Sequence, residues 1–230
     1  MKIKNLIWYW IGNRLEWIWP FRFFRFLKPG IDIVGRKSVA CIEGYPRSGN
    51  TYVYATVTLM TSEATEIAHH LHCSAQLKEA IRLRVPTLFV ARAPSECIAS
   101  YIVREQIPIR RAIVQYLRLY RFVFAHREHL TVIDFNKAMS DGDFLRSSII
   151  GVIPSLSDKL LPTQLDINEK VRRMDMEDTG KVAVDPMRVG MPNSERDSLK
   201  KAVIEQMRLD FPSELAECQA LYVKLVSCDE

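Results

Sequence analysis

The sequence predicts an α/β protein: a parallel β-sheet flanked by helices on both faces, with a helical C-terminal region. Three observations carry that expectation. Apolar runs of strand length at residues 39–43, 86–91 and 130–135 are each followed by a longer stretch of helical character. The first run passes through Gly44-Tyr-Pro-Arg-Ser-Gly49 directly into an apolar helix over 51–60, so strand, tight loop and helix start are contiguous. From residue 141 onward the pattern turns mainly helical. Strands alternating with helices favour a parallel sheet, because each crossover lays a helix on one face.

With 230 residues, 48% of them hydrophobic, the chain suits one domain with a full core over 31–230, preceded by an arm over 1–30. Lys+Arg 32 against Asp+Glu 27 gives +5, and the pI is near 9.0. That mild excess fits an anionic nucleotide, an acidic acceptor or a membrane surface, and does not argue for nucleic acid. The five cysteines are odd in number and form no Cys-x-x-Cys pair, so neither a disulfide framework nor a zinc site is indicated. A reducing, cytoplasmic compartment follows, with Cys41 and Cys97 read as small apolar core residues.

The arm holds all four tryptophans, Trp8, Trp10, Trp17 and Trp19, interleaved with Lys2, Lys4, Arg14, Arg22, Arg25 and Lys28. Arg14 and Glu16 interrupt its apolar run well short of the ~20 residues of a spanning helix. No small-residue cleavage site follows residues 6–11, as a signal peptide would require. Aromatic and basic residues together suit a membrane interface, and the other reading is an arm packed on the domain or on another subunit. Beyond the first helix, residues 63–72 carry three of the five histidines, and 75–84 has helical periodicity. Pro94 suits the first turn of the helix that holds Ser100. Residues 109–126 read as an amphipathic helix whose Arg110, Arg111, Arg118 and Arg121 form a solvated face. Residues 181–193 form a long loop, and Asn193 or Ser194 caps the helix that follows.

A strand-to-helix loop is where a phosphate is held, because the first N–H groups of the helix lack partners and the helix dipole favours an anion. Gly44 and Gly49 have the spacing of a P-loop, but Asn50 occupies the lysine position and Arg47 is the cation inside the loop. ATP hydrolysis needs that lysine on the β- and γ-phosphates. The loop is therefore read as built for phosphate rather than for ATP chemistry.

Tyr45-Pro-Arg-Ser-Gly-Asn-Thr-Tyr52 resembles the 5′-phosphosulfate loop of the PAPS-dependent sulfotransferases. Pro86-Thr-Leu-Phe-Val-Ala-Arg-Ala-Pro-Ser-Glu-Cys-Ile-Ala-Ser-Tyr101 resembles that family's 3′-phosphate block, in which a strand ends in Arg and a Ser follows eight residues later. The resemblance covers residues 39–151 and implies a P-loop NTPase-like sulfotransferase fold that uses PAPS as co-substrate without a required metal. It implies that Arg47 meets the 5′-phosphosulfate and stabilises the departing oxygen. Ser48, Gly49, Asn50 and Thr51 then contact the 5′ group, Tyr52 and Phe135 contact adenine, and Arg92 with Ser100 holds the 3′-phosphate.

Twenty-two residues before Arg92, where cytosolic family members carry their base, stands His70. Ala68 stands where those relatives have a sulfonate-binding lysine, a role that His69, His72 or Arg47 could fill. His69 or His72 are alternative bases, as are Glu63 and Glu66. The family's C-terminal 3′-phosphate motif has no clear match, and Arg188 or Lys181 is the cation available there. The acceptor is a small molecule, a glycan or a lipid-linked group. Two other functional readings stay open: a P-loop kinase, and a catalytically idle, membrane-associated nucleotide-binding protein.

Overall fold

The computed structural model describes residues 18–24, 32–61, 65–179 and 194–227. Four strands, β1 (Ala40–Gly44), β2 (Ile67–His69), β3 (Thr87–Ala91) and β4 (Thr131–Asp134), form one all-parallel sheet in the order β2-β1-β3-β4. β1 and β3 are buried at every position, as expected of central strands covered on both faces. Successive side chains point to opposite faces. Ala40, Ile42, Leu88, Val90 and Ile133 therefore enter one core, while Phe89, Ala91 and Val132 enter the other.

The helices divide accordingly. On the first face lie α2 (Asn50–Met60), α6 (Phe135–Ser140) and α7 (Gly142–Val152), contributing Val53, Val57, Ala138, Leu145 and Ile149. On the second lie α3 (Ser74–Leu83), α4 (Pro94–Glu105), α5 (Ile109–Ala125), α9 (Ser194–Asp210) and α10 (Pro212–Val226). The remaining helices are α1 (Trp19–Phe24) and α8 (Gln164–Thr179). The expected parallel sheet with helices on both faces is present, as is the helical C-terminal region.

Local chemistry sets the boundaries. Pro94 occupies the first turn of α4, where its missing N–H costs nothing. Arg84 and Gln106 end α3 and α4 in the left-handed conformation that closes many helices. Phe135 starts α6 rather than ending a strand, because the Asp134 carboxylate accepts Asn136 N–H and Lys137 N–H and caps the helix there. The other oxygen of Asp134 accepts the Tyr222 hydroxyl at 2.6 Å, tying α10 to the end of β4. Cys41 and Cys97 are fully buried, as expected. Burial pushes the Cys41 thiol well above its ordinary range. Arg110, Arg118 and Arg121 are exposed on α5, with Arg121 paired to Glu217. β2 is an addition: three residues are too few for a period to show in sequence, and its pairing to β1 defines it.

Of the N-terminal arm, residues 18–24 are described, and they pack on the domain. Phe21 is fully buried against Leu71, Cys73 and Ala75. Arg22 donates from Nη2 to Val34 O at 2.9 Å and to Glu79 Oε1 at 3.2 Å. Trp19 is exposed. No helix among the described residues is long and apolar enough to cross a membrane.

Candidate functional site

The strand order determines where a site forms. From β1 the chain crosses through α2 to β2 on one side, and from β3 it crosses through α4 to β4 on the other. The two connections leave a crevice outside the carboxyl ends of β1 and β3, the place where open parallel sheets bind ligands. Gly44 to Asn50 line one wall and Arg92 to Ser100 the other.

The first wall is a tightly folded loop. Tyr45 O collects three donors: Ser48 N–H at 3.0 Å, the Ser48 hydroxyl at 2.6 Å and Asn50 Nδ2 at 3.1 Å. Tyr45 itself is buried, and its hydroxyl donates to Ala112 O at 3.0 Å. Gly44 and Gly49 are sterically required. A Cβ on Gly44 would lie 2.4 Å from Asn50 Oδ1 and 2.5 Å from Val90 O. On Gly49, whose φ is +98°, it would lie 2.2 Å from the Phe135 ring. Arg47 also has positive φ, 69°, a strained value for a residue with a side chain.

Gly49 precedes α2 without any side-chain cap, and Tyr52 N–H turns back to Gly49 O at 3.0 Å. The Ser48 and Asn50 side chains are buried and turned inward onto Tyr45 O. The Thr51 hydroxyl, one residue into α2, instead meets His70 Nε2.

The second wall meets the first through two hydrogen bonds. Arg47 Nε donates to Ser100 Oγ at 3.1 Å, and Arg92 Nη1 donates to Arg47 O at 3.2 Å. The two motifs, 53 residues apart in the case of Arg47 and Ser100, thus form one cluster. Arg92 also donates from Nε and Nη2 to Glu96 Oε2, at 3.0 and 2.7 Å. The Arg92 Cζ lies 4.8 Å from the centroid of the Phe135 ring, which covers Gly49 and meets Tyr52 edge-on. The Tyr52 hydroxyl donates to Gln164 Oε1 at 2.9 Å, joining α2 to α8.

Two residues that sequence reasoning did not single out hold Arg92 in place. The Tyr116 and Tyr120 rings stack 3.8 Å apart in the core, and both hydroxyls donate to Arg92 O, while Arg92 N–H donates to Tyr120 Oη. Burial pushes both phenols far above their ordinary range, so they remain neutral donors. Their four-residue spacing on an amphipathic helix was visible in sequence, but not their common target.

The histidines gather beside the loop. His70 and His72 both have left-handed backbones, φ 60° and 56°. That turn aims Leu71 N–H and His72 N–H at the carboxylate of Glu43, at 2.7 and 2.9 Å. Glu43 is fully buried on β1 and also accepts Gln76 Nε2 at 3.3 Å. Desolvation raises its pKa to about 7 against these lowering hydrogen bonds. A carboxylate inside an apolar strand immediately before Gly44 was the signal in sequence. His72 Nδ1 lies 2.9 Å from Gly44 O, His70 Nε2 lies 3.0 Å from Thr51 Oγ1, and Nδ1 of His69 meets Nδ1 of His70.

His70 thus joins the start of α2 through Thr51. Glu66 is exposed at the opposite, amino end of β2, away from the crevice. Glu63, Lys181, Arg188 and the loop over 181–193 lie outside the described residues. Among the described residues no group of three or more His, Cys, Asp or Glu is arranged to hold a metal ion.

Fold and site together define an α/β protein with an all-parallel sheet and a basic crevice at its strand carboxyl ends. No family model matches the chain, and no curated protein matches it significantly.

Proposed function

We propose that the chain is a PAPS-dependent sulfotransferase acting on a hydroxyl or amine acceptor. The observation that carries this reading is the convergence of Arg47 and Ser100 with Arg92 over one uncapped helix start. Two cations then serve one anionic nucleotide at two points, and a kinase substrate such as ATP has no 3′-phosphate for the second. Asn50 in place of the lysine weighs against the kinase reading in the same way.

In this reading Arg92 and Ser100 hold the 3′-phosphate, with Arg92 exchanging the single Glu96 carboxylate for a dianion that matches its fork. Arg47 and the N–H groups at the start of α2 hold the 5′ group. Arg47 also stabilises negative charge on the bridging oxygen as the S–O bond lengthens, worth about 3–4 kcal/mol for a preorganised donor. His70 takes the acceptor's proton, a task suited to imidazole near neutral pH. The compartment is the cytoplasm, and the aromatic-basic composition of the N-terminal arm suits membrane-proximal or glycan acceptors.

Calorimetric titration with 3′,5′-ADP tests the reading, with ATP-Mg²⁺ as the control. Wild type should bind 3′,5′-ADP, and Arg92→Ala or Arg47→Ala should weaken binding about 10- to 100-fold, the loss of one charge-assisted interaction. Preference for ATP-Mg²⁺ would replace this reading with the kinase. Binding of 3′,5′-ADP without turnover of PAPS would replace it with an idle nucleotide-binding protein.

A further inference from the structure

At the end of β2 four side chains form a line from the surface to the start of α2. Asp32 is fixed through its backbone, whose carbonyl accepts His69 N–H at 2.9 Å and Gln76 Nε2 at 3.0 Å. Its Oδ2 stands 3.4 Å from His69 Nε2. His69 is buried, and its ring lies against Tyr54 with centroids 3.7 Å apart. From there the line runs through the two Nδ1 atoms to His70, and through His70 Nε2 to Thr51 Oγ1 at 3.0 Å. The left-handed backbone at His70 turns its ring back toward the helix, a strained conformation of the kind that clusters at functional sites.

With both rings neutral, one proton assignment runs through the line unbroken. A carboxylate only accepts, so a His69 that turns an Nε2–H toward Asp32 Oδ2 across the 3.4 Å between them presents an Nδ1 lone pair to His70. His70 then carries its proton on Nδ1, and its Nε2 lone pair faces a hydroxyl.

We propose that Asp32 and His69 are positioning residues that hold His70 in the Nδ1–H tautomer, which makes Nε2 the base. For its catalytic consequence this rests on the sulfotransferase reading above. In the transfer step a lone pair of the acceptor oxygen forms the new O–S bond, while the bridging S–O bond breaks and its electron pair stays on the departing phosphate oxygen. The acceptor proton moves to His70 Nε2, and the Thr51 hydroxyl marks where such a proton is presented. The imidazolium keeps its Nδ1–H on His69, and the Asp32 carboxylate at the far end offsets its charge. This carboxylate–imidazole logic orients a base without protonating the acid.

Long-range ¹H–¹⁵N correlation of the histidine rings in the full chain reads the tautomer. Wild type should show His70 as a single Nδ1–H form. His69→Leu should give a mixture, whereas His69→Asn, which keeps an acceptor near the Nδ1 position, should preserve it. In PAPS turnover His69→Leu should lower kcat about tenfold or more, a part of the ~10²–10⁴ of a complete base, with 3′,5′-ADP affinity unchanged. His69→Asn should recover most of that loss. Asp32→Ala, an exposed position outside the core, should shift the tautomer and lower kcat about threefold. A mixed tautomer in wild type, an unchanged one in His69→Leu, or equal loss in His69→Leu and His69→Asn would overturn the proposal. If wild type turns over no PAPS, the sulfotransferase reading fails, and the tautomer response still decides the positioning role.

Discussion

Glu43 should make the stability of this protein fall as pH rises from 5 to 8. Its carboxyl is fully buried on the central strand, and its pKa moves from 4.5 to about 7 on folding. A raised carboxyl pKa means that the folded state binds the proton more tightly than the unfolded chain. The resulting stabilisation is fully present below 4.5 and is lost as pH rises through 7. At ~1.36 kcal/mol per pKa unit, the stabilisation lost between pH 5 and pH 8 is about 2.5 kcal/mol.

Glu43→Gln removes that titration. It also sets an amide against Leu71 N–H and His72 N–H, which now share one carboxylate. The variant should therefore lie close to wild type at pH 5, where the protonated carboxyl likewise offers one acceptor oxygen to those two donors, and should escape the loss of about 2.5 kcal/mol that wild type suffers by pH 8. Urea unfolding of both proteins at pH 5, 6, 7 and 8 provides the comparison. Histidines and surface carboxylates titrate in both chains, so the difference between the two pH curves isolates Glu43. Parallel curves would refute the reasoning, since they would mean that the carboxyl is not held protonated by burial.

Four further outcomes follow from the geometry. Gly49→Ala should lose 3′,5′-ADP binding, because its Cβ would overlap the Phe135 ring at a backbone angle that L residues rarely adopt, and calorimetry measures this. Glu96→Gln should tighten 3′,5′-ADP binding several-fold at low salt, since Arg92 no longer exchanges a carboxylate for phosphate, and 1 kcal/mol is about fivefold. Phe21→Ala should cost about 3–5 kcal/mol in thermal or urea unfolding, because the ring fills the space between α1 and the segment that carries the histidines. Tyr116→Phe should cost roughly 1 kcal/mol and weaken nucleotide binding without changing far-UV circular dichroism, as Arg92 O loses a donor while Tyr120 keeps its own.

The class of fold and the position of the loop were legible in sequence because both depend on local chemistry. Residues 39–43, 86–91 and 130–134 are mostly apolar runs of strand length, Gly44 and Gly49 punctuate the loop between the first run and its helix, and Pro94 marks a helix start. The spacing of Arg47 to Gly49 and of Arg92 to Ser100 was likewise readable along the chain. The three-residue β2 was not, because a strand that short shows no period and exists only through its pairing with β1.

What only the tertiary structure decided are the meetings across the sheet. Strand order β2-β1-β3-β4 sets the loop after β1 beside the helix after β3, and so brings Arg47 to Ser100 and Arg92 to Arg47 O. It also places Glu43 under the backbone of Leu71 and His72, and both Tyr116 and Tyr120 under Arg92. Those partners are 24 to 53 residues apart, beyond any periodicity a helix or strand imposes. Sequence by itself determined which groups could hold an anion. The packing of helices on two faces of one sheet decided which of them stand together, because burial brings distant segments together through area and shape rather than through their order along the chain.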